Sequence, residues 1–368
     1  MTEPQRLRLL LLCGGLYAGV IVVLRLKHGG DLVNEIALSE RLLAGEPLYQ
    51  TGPAHWTLWP PFAALLLIPF VPLARASMPL ALAVWSVLSV ACLVAAVALA
   101  RRWGWRPVLL ALAATAMPIQ TDFEHRNVNT MLLLLIVAAT VDLEDERDAR
   151  AGVWLGLATA LKAFPALFFL YLALRRRWRA LAVGVGVAAA ATLAPLLAHG
   201  LDAGVTAARD WLALTLDQSR WQLSTNDQSL RALAVRLGWP ALTAAVLAVL
   251  CLAAIPAVSR REPAGRFLPG TAATALAALL VAPVTWVHYL VLAFPAWVAL
   301  LAGPDSHGSP AIRRAAMWLA AIATSGWLTL GQGPLRRALH EANLYTWGGL
   351  LLLLLLATQP DDRQPETG

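Results

Sequence analysis

Charge is scarce in this sequence. Of its 368 residues only 14% are Asp, Glu, Lys or Arg, and 59% are apolar, against about 25% charged and about 45–50% apolar in an ordinary soluble domain. The apolar excess lies in uncharged runs: Leu7 to Leu24, Met78 to Ala100, Leu181 to Ala198, Pro240 to Val258, Val287 to Ala302 and Asn343 to Ala357. Each approaches the roughly 20 residues that span a bilayer as a helix, which excludes a conventional soluble enzyme. Cysteine is scarce too. Cys13, Cys92 and Cys251 all fall inside apolar runs, so there is neither a disulfide framework nor a metal-ligand spacing. No P-loop and no G-x-G-x-x-G occurs, so a nucleotide substrate is unsupported. A small-x-small cleavage site is missing after the first run, and Arg25 and Lys27 follow it, so that run reads as a retained helix. The formal charge of +7 comes from arginines in short clusters between apolar runs. That is the mark of membrane topology rather than of nucleic-acid binding.

What is present orders the chain in the membrane. With Arg6 and Arg8 inside, the first helix exits near His28. Residues 29–58 follow, with Asp31, Glu35, Glu40, Arg41 and Glu46 among Leu32, Ile36 and Leu43, the pattern of a helix lying on the outer surface. The apolar stretch after Trp59-Pro60-Pro61-Phe62 is short and is broken by Pro69 and Pro72. The positive-inside rule favours a dip over a crossing, because a dip keeps Arg101, Arg102 and Arg106 inside. The remaining expectations are a short helix over 108–118, an outer loop over 120–130 and a hairpin broken at Lys162-Ala163-Phe164-Pro165. The predicted class is an all-α polytopic membrane protein with about 12 spans. Residues 1–358 form one transmembrane domain, with outer loops over 28–76 and 199–239, and 359–368 form a polar cytoplasmic tail.

Under this topology the unusual polar residues converge on one face. They are Asp31, Trp59-Pro60-Pro61, Asp122 to Asn129, Lys162, Asn226 to Ser229 and Trp286 to Tyr289. The stretches Asp31 to Tyr49, Trp59-Pro60-Pro61, Arg126-Asn127-Val128-Asn129, Gly152 to Arg179, Asn226 to Leu230 and Pro283 to His288, occurring in this order, together resemble glycosyltransferase family 87, the polyprenol-phosphate-mannose-dependent mannosyltransferases of the GT-C class. The resemblance covers roughly residues 10 to 300. The chain departs from the family in having Trp59-Pro60-Pro61 for Tyr-Pro-Pro, Arg126-Asn127-x-Asn129 for Gly-Gln-x-Asn, and Asn226-Asp227-Gln228-Ser229 for an Asn-Gln-Ser triplet.

The resemblance implies a GT-C fold with a membrane-embedded outer segment after the first helix. It also implies transfer of a hexose, mannose by family, from a polyprenyl phosphate to a hydroxyl of a glycolipid or polysaccharide, with inversion. The partners expected are the lipid-linked sugar, the glycan acceptor and membrane lipids, at the plasma membrane with the site facing outside. Such a transfer needs a base for the acceptor proton. Asp31 matches the first-loop aspartate of the class, and its bland alternative is a helix N-cap after Gly29-Gly30. Glu35, one turn on, is its reserve. Lys162 interrupts an apolar hairpin and suits the departing phosphate, or else snorkels to the interface. Arg126 and His288 are further phosphate candidates. Trp59, Asn129, Asn226, Gln228 and Trp286 are candidates for sugar or acceptor contacts, or are helix caps and an aromatic belt. Asp122-x-Glu124-His125 loosely resembles a metal site, but a monophosphate leaving group needs less neutralisation, so neither metal nor cofactor is expected. A lipid-linked glycan flippase would show internal repeats, and a glycan ligase a large arginine-rich outer loop. Neither pattern stands out.

Overall fold

The structure, a computed structural model, describes residues 2–25, 29–49, 59–198, 200–216, 224–303, 311–329 and 333–360. Parts of both expected outer loops (28, 50–58, 199 and 217–223) and the tail from 361 lie outside the described residues. Among the described residues the chain is helical, apart from one antiparallel bridge between Asp227 and Trp286.

Helix α1 (Glu3–Arg25) is followed by the amphipathic α2 (Gly30–Ala44), which buries Leu32, Ile36, Leu38 and Leu42. The segment after Trp59 forms two short helices, α3 (Phe62–Leu66) and α4 (Phe70–Ala76), broken at Pro69. Proline lacks the amide a continuous helix needs, so this stretch is not one spanning helix. It packs on α2 and on α5 (Met78–Ala100). Next come α6 (Trp105–Ala114) and α7 (Ala116–His125). The structure corrects the expected loop over 120–130 here. Residues 116–125 are helical, and Arg126 ends the turn at φ 50°. The polar run that resembled a solvated loop is a helix whose Thr121 and Asp122 are buried.

Helices α8 (Asn129–Glu144) and α9 (Asp148–Leu161) form an antiparallel pair. At Lys162 the backbone turns extended, a 3₁₀ turn follows at Phe164–Ala166, and α10 (Leu167–Leu174) returns. Helix α11 (Trp178–Leu197) packs along α9. Their approach depends on Gly152 and Gly156, because a Cβ at Gly156 would stand 2.6 Å from the Gly184 carbonyl and 2.7 Å from Val187. Small residues at such a four-residue spacing let helix backbones close up in a membrane. Gly156→Leu is therefore expected to cost about 1–3 kcal/mol of stability, seen as a lower thermal midpoint of the detergent-solubilised protein by tryptophan fluorescence.

The chain continues through α12 (Leu201–Leu216), α13 (Leu230–Arg236), α14 (Ala241–Arg261), α15 (Leu268–Val281), a 3₁₀ segment (Val287–Ala293) and α16 (Phe294–Ala302). It ends with α17 (Ala311–Ser325), α18 (Pro334–Glu341) and α19 (Leu344–Ala357). Among the described residues α5, extended to Trp103, with α11 and α14 are long and apolar enough to cross a membrane, and the bent pair α18–α19 makes up to four. Several helices present unpaired apolar belts, such as Leu9, Leu12 and Leu16 on α1, Val84 and Val87 on α5, and Leu242, Val246 and Leu250 on α14. Water does not tolerate belts this large, whereas lipid does, and the features fit a polytopic membrane protein.

The bundle has two chemically different ends. Where α8 ends and α9 begins, Arg147 pairs with Asp142 and Asp145, and Arg102 pairs with Asp145. Where α14 meets α15, the buried Glu262 accepts from Tyr171 at 2.9 Å. These contacts tie helix ends together. The opposite end, where α8 begins and α9 finishes, holds a cavity.

Candidate active site

The cavity has a volume of about 530 Å³ and gathers residues from across the chain. Asp31 and Glu35 come from α2, Trp59 from the entry to α3, and Lys162 from the α9–α10 break. Asn226 comes from the turn before α13, and Trp286 and His288 from the region of the 3₁₀ segment. Its size lies in the range of small-molecule sites.

Asp31 is placed by glycine. Gly30 sits at φ +59°, a conformation that costs an L side chain roughly 1–2 kcal/mol. A Cβ there would also collide with the His125 carbonyl at the end of α7. Bare backbone thus lets α2 start directly against α7. Asp31 then falls in the first turn of α2 rather than capping it, and Oδ2 accepts from Asn127 Nδ2 at 2.6 Å. Asn127 is anchored in turn, its backbone amide donating to the Asp122 carbonyl. Gly30→Ala is expected to lower kcat about 10–100-fold with the protein still folded, because a displacement near 1 Å costs about 100-fold in a positioned reaction. A kinetic assay beside a size-exclusion profile checks this.

Glu35 lies one helical turn from Asp31 and is 2% exposed. Burial, then the neighbouring Asp31 charge, pushes its carboxyl well above the usual range, and its Oε2 has no hydrogen-bond partner among the described residues. A neutral carboxyl can donate to a sugar hydroxyl but is a poor base.

Lys162 is 5% exposed. Its Nζ donates to Asn129 Oδ1 at 3.0 Å and lies 3.4 Å from the centre of the Tyr289 ring, which stacks on Phe164. A snorkelling lysine would reach away from the protein interior, and this one does not. Burial pulls its ammonium below the usual lysine range, while Asp122, Asp31 and Glu35 pull it back up. The His288 ring stacks on His125 at 4.8 Å, and its Nε2 is buried without a partner among the described residues.

The remaining candidates divide. Trp59 and Trp286 line the cavity with aromatic surface, and Asn226 lines it while bonding His340 Nδ1 at 3.0 Å. Asn129 stands behind Lys162 rather than on the wall. Arg126 is 1% exposed and does not line the cavity. Gln228 is scaffolding: its side chain donates to the His340 carbonyl and its amide to the Thr285 carbonyl. Asp227 Oδ1 accepts from the Ser229 and Thr285 amides, fixing the turn that carries Asn226 against the segment that carries Trp286.

The structure also brings in residues that sequence reasoning left out. Asn127, Tyr289 and His125 line the site, and so does Arg336 of α18. Asn127 and Tyr289 stood beside the chosen Asn129 and His288, so a wider reading of those two clusters would have found them. Arg336 lies outside every stretch that carried the resemblance. Among the described residues no three His, Cys, Asp or Glu side chains gather as a metal site. Both Asp122 oxygens are taken by Asn129 and the Thr130 amide, and Glu124 accepts from Gln120.

A carboxylate and an ammonium facing one cavity between aromatic walls suit a reaction that removes a proton and releases an anion. Comparison with known proteins agrees. Residues 56–283 match the profile described as Glycosyltransferase family 87. A Mycolicibacterium smegmatis protein is 30% identical over 364 residues, covering 87% of this chain and 78% of the relative. It is named polyprenol-phosphate-mannose-dependent alpha-(1-2)-phosphatidylinositol mannoside mannosyltransferase. A Mycobacterium tuberculosis protein of the same name is 30% identical over 69% of this chain and 66% of its own length. A second from that species, named for a phosphatidylinositol pentamannoside acceptor, is 27% identical over 67% and 58%.

Proposed function

This chain belongs to glycosyltransferase family 87 and is a polyprenyl-phosphate-sugar-dependent glycosyltransferase, and we propose that it transfers mannose to a hydroxyl of an anionic glycolipid on the outer face of the plasma membrane, within a GT-C fold. Membership of a transferase family sets aside the flippase alternative. The observation that carries the assignment of roles is the cavity in which Asp31, held by Asn127, and Lys162, held by Asn129, face the same space.

In the proposed step Asp31 accepts the proton of the acceptor hydroxyl. The freed oxygen attacks the anomeric carbon, and the bond from that carbon to the phosphate oxygen breaks. Polyprenyl phosphate leaves with both electrons of that bond, and its added negative charge falls beside Lys162 and His288. One displacement inverts the anomeric centre, so a β-linked donor gives an α-mannoside. Glu35 as a neutral donor, Asn226 and the faces of Trp59 and Trp286 hold the sugar and the acceptor end. The chemistry asks for no cofactor. The acceptor class follows the names of the relatives, whose acceptors are phosphatidylinositol mannosides.

The test is transfer by purified protein in detergent from polyprenyl-phosphate mannose labelled in the sugar, with a phosphatidylinositol mannoside as acceptor. A labelled, α-linked glycolipid is expected, insensitive to chelator. Transfer from the glucose analogue but not from the mannose donor would overturn the sugar, and transfer only to uncharged glycans would overturn the acceptor.

A further inference from the structure

Asp122 is fully buried on α7, at 0% exposure, and does not face the cavity. A buried carboxylate is costly unless its oxygens are satisfied, and both of these are. Oδ1 accepts from Asn129 Nδ2 at 2.8 Å, and Oδ2 accepts from the Thr130 amide at 3.2 Å. The same Asn129 Nδ2 also points at the His288 carbonyl at 3.3 Å. With its nitrogen committed to two acceptors, the Asn129 amide has one orientation, and Oδ1 is the atom left for Lys162 Nζ at 3.0 Å. The result is a continuous buried line from carboxylate to amide to ammonium, joining α7, α8 and the α9–α10 break.

We propose that Asp122 is a positioning residue of the donor phosphate site: acting through Asn129, it aims Lys162 into the cavity and supplies the buried negative charge that keeps Lys162 an ammonium. This rests on the reading above, in which Lys162 meets the donor phosphate. The logic is electrostatic. A lone buried lysine sheds its proton, and an opposite charge a few ångströms away retains it. A carboxylate placed directly on the ammonium would compete with the phosphate. One held behind the intervening Asn129 amide, two hydrogen bonds away, keeps the charge and leaves the ammonium's other donors for the ligand. Other titratable or charged groups face Lys162 or its cavity as well. They are Asp31 and Glu35 from α2, His125 from α7, His288 and Tyr289 from the 3₁₀ segment, and Arg336 from α18. Of the three carboxylates that favour the Lys162 ammonium Asp122 acts most strongly, and while burial pushes its own carboxyl up to about 7, the Asn129 and Thr130 donors and the Lys162 charge draw it back down.

The experiment is the pH profile of kcat/KM for the polyprenyl-phosphate donor, in wild type, Asp122→Asn, Lys162→Arg and the Asp122→Asn/Lys162→Arg double variant. Lys162→Arg first identifies the alkaline limb, since a guanidinium keeps its proton across the range. In Asp122→Asn that limb is expected to move about one unit or more toward acid, with a raised donor KM at neutral pH. The double variant is expected to lose the shift. A merely structural Asp122 would lower activity equally at every pH and leave the limb where it was, which overturns the proposal. If Asp122→Asn does not yield folded protein, Asn129→Ala removes the amide that aims Lys162 while the Asp122 charge stays; the donor KM is expected to rise at every pH, and an unchanged donor KM there overturns the proposal. A limb that survives Lys162→Arg overturns the phosphate role of Lys162 as well, so the two failures are separable.

Discussion

Replacing Asp31 with Asn is expected to lower kcat for sugar transfer by about 10²–10⁴-fold, the usual worth of a general base, while leaving the donor KM within about threefold of wild type. The substitution keeps the shape of the side chain. The carbonyl oxygen of the introduced amide can still accept from Asn127 Nδ2, the partner that Asp31 uses at 2.6 Å. What disappears is the ability to take a proton. The measurement is initial-rate transfer at several donor concentrations, alongside a thermal midpoint to show that the fold is intact. Glu35→Gln is the informative control. Glu35 is nearer the protein interior, and burial together with the Asp31 charge holds its carboxyl well above the usual range. Its loss should cost about tenfold, the scale of one hydrogen bond at roughly 1–1.5 kcal/mol. The reverse order, with Glu35→Gln the more damaging, would move the base one turn along α2.

How much of this was legible in the sequence depended on which force set each feature. Hydrophobic run length set the long helices, and α5, α11 and α14 lie within two or three residues of the apolar runs that announced them. Proline and charge together revealed that the stretch after Trp59 does not form one long helix, and α3 and α4 are indeed two short pieces. The hairpin break at Lys162 was equally visible, because a lysine and a proline interrupt an apolar pair. Helix α7 was not. Thr121 and His125 are polar because they line the cavity, and Asp122 because it holds Asn129 beneath it, and polarity without an apolar period looks the same in a solvated loop.

The site shows the same division. Lys162 stood out against an apolar background and Asp31 by its place at the start of the first outer stretch, and both line the cavity. Their supports did not stand out. Asn127 and Asp122 matter through partners 96 and 7 residues away in sequence, and no local pattern encodes which side chain an amide will face. Arg126 was attractive as a cation beside a motif, yet its backbone turns left-handed to end α7 and its side chain is buried away from the cavity. A positive φ at a residue other than glycine cannot be read from composition.

Lys162→Met is expected to reduce kcat/KM for the donor by about 10²–10³-fold, the range seen when one preorganised donor to a developing anion is removed. Methionine keeps an unbranched apolar side chain one atom shorter, without the ammonium that lies over Tyr289, so the loss reports chiefly the charge. The effect should divide between KM, because the donor phosphate is already anionic, and kcat, because its charge grows as the sugar leaves. Lys162→Arg should recover part of the activity, limited by the planar guanidinium in a place shaped for an ammonium. The sign of the pH dependence follows from burial. The ammonium is present below its pKa and is lost as pH rises through it, and burial lowers that pKa from the ordinary lysine range. Wild-type donor binding should therefore weaken on the alkaline side at a pH well below that of a surface lysine, and the arginine variant should not show that decline. Donor titration across pH 6 to 10, roughly the interval between the usual histidine and lysine values, reads both. An unchanged donor KM in Lys162→Met would mean that the phosphate sits elsewhere in the cavity, with Arg336 on the same wall next to be replaced.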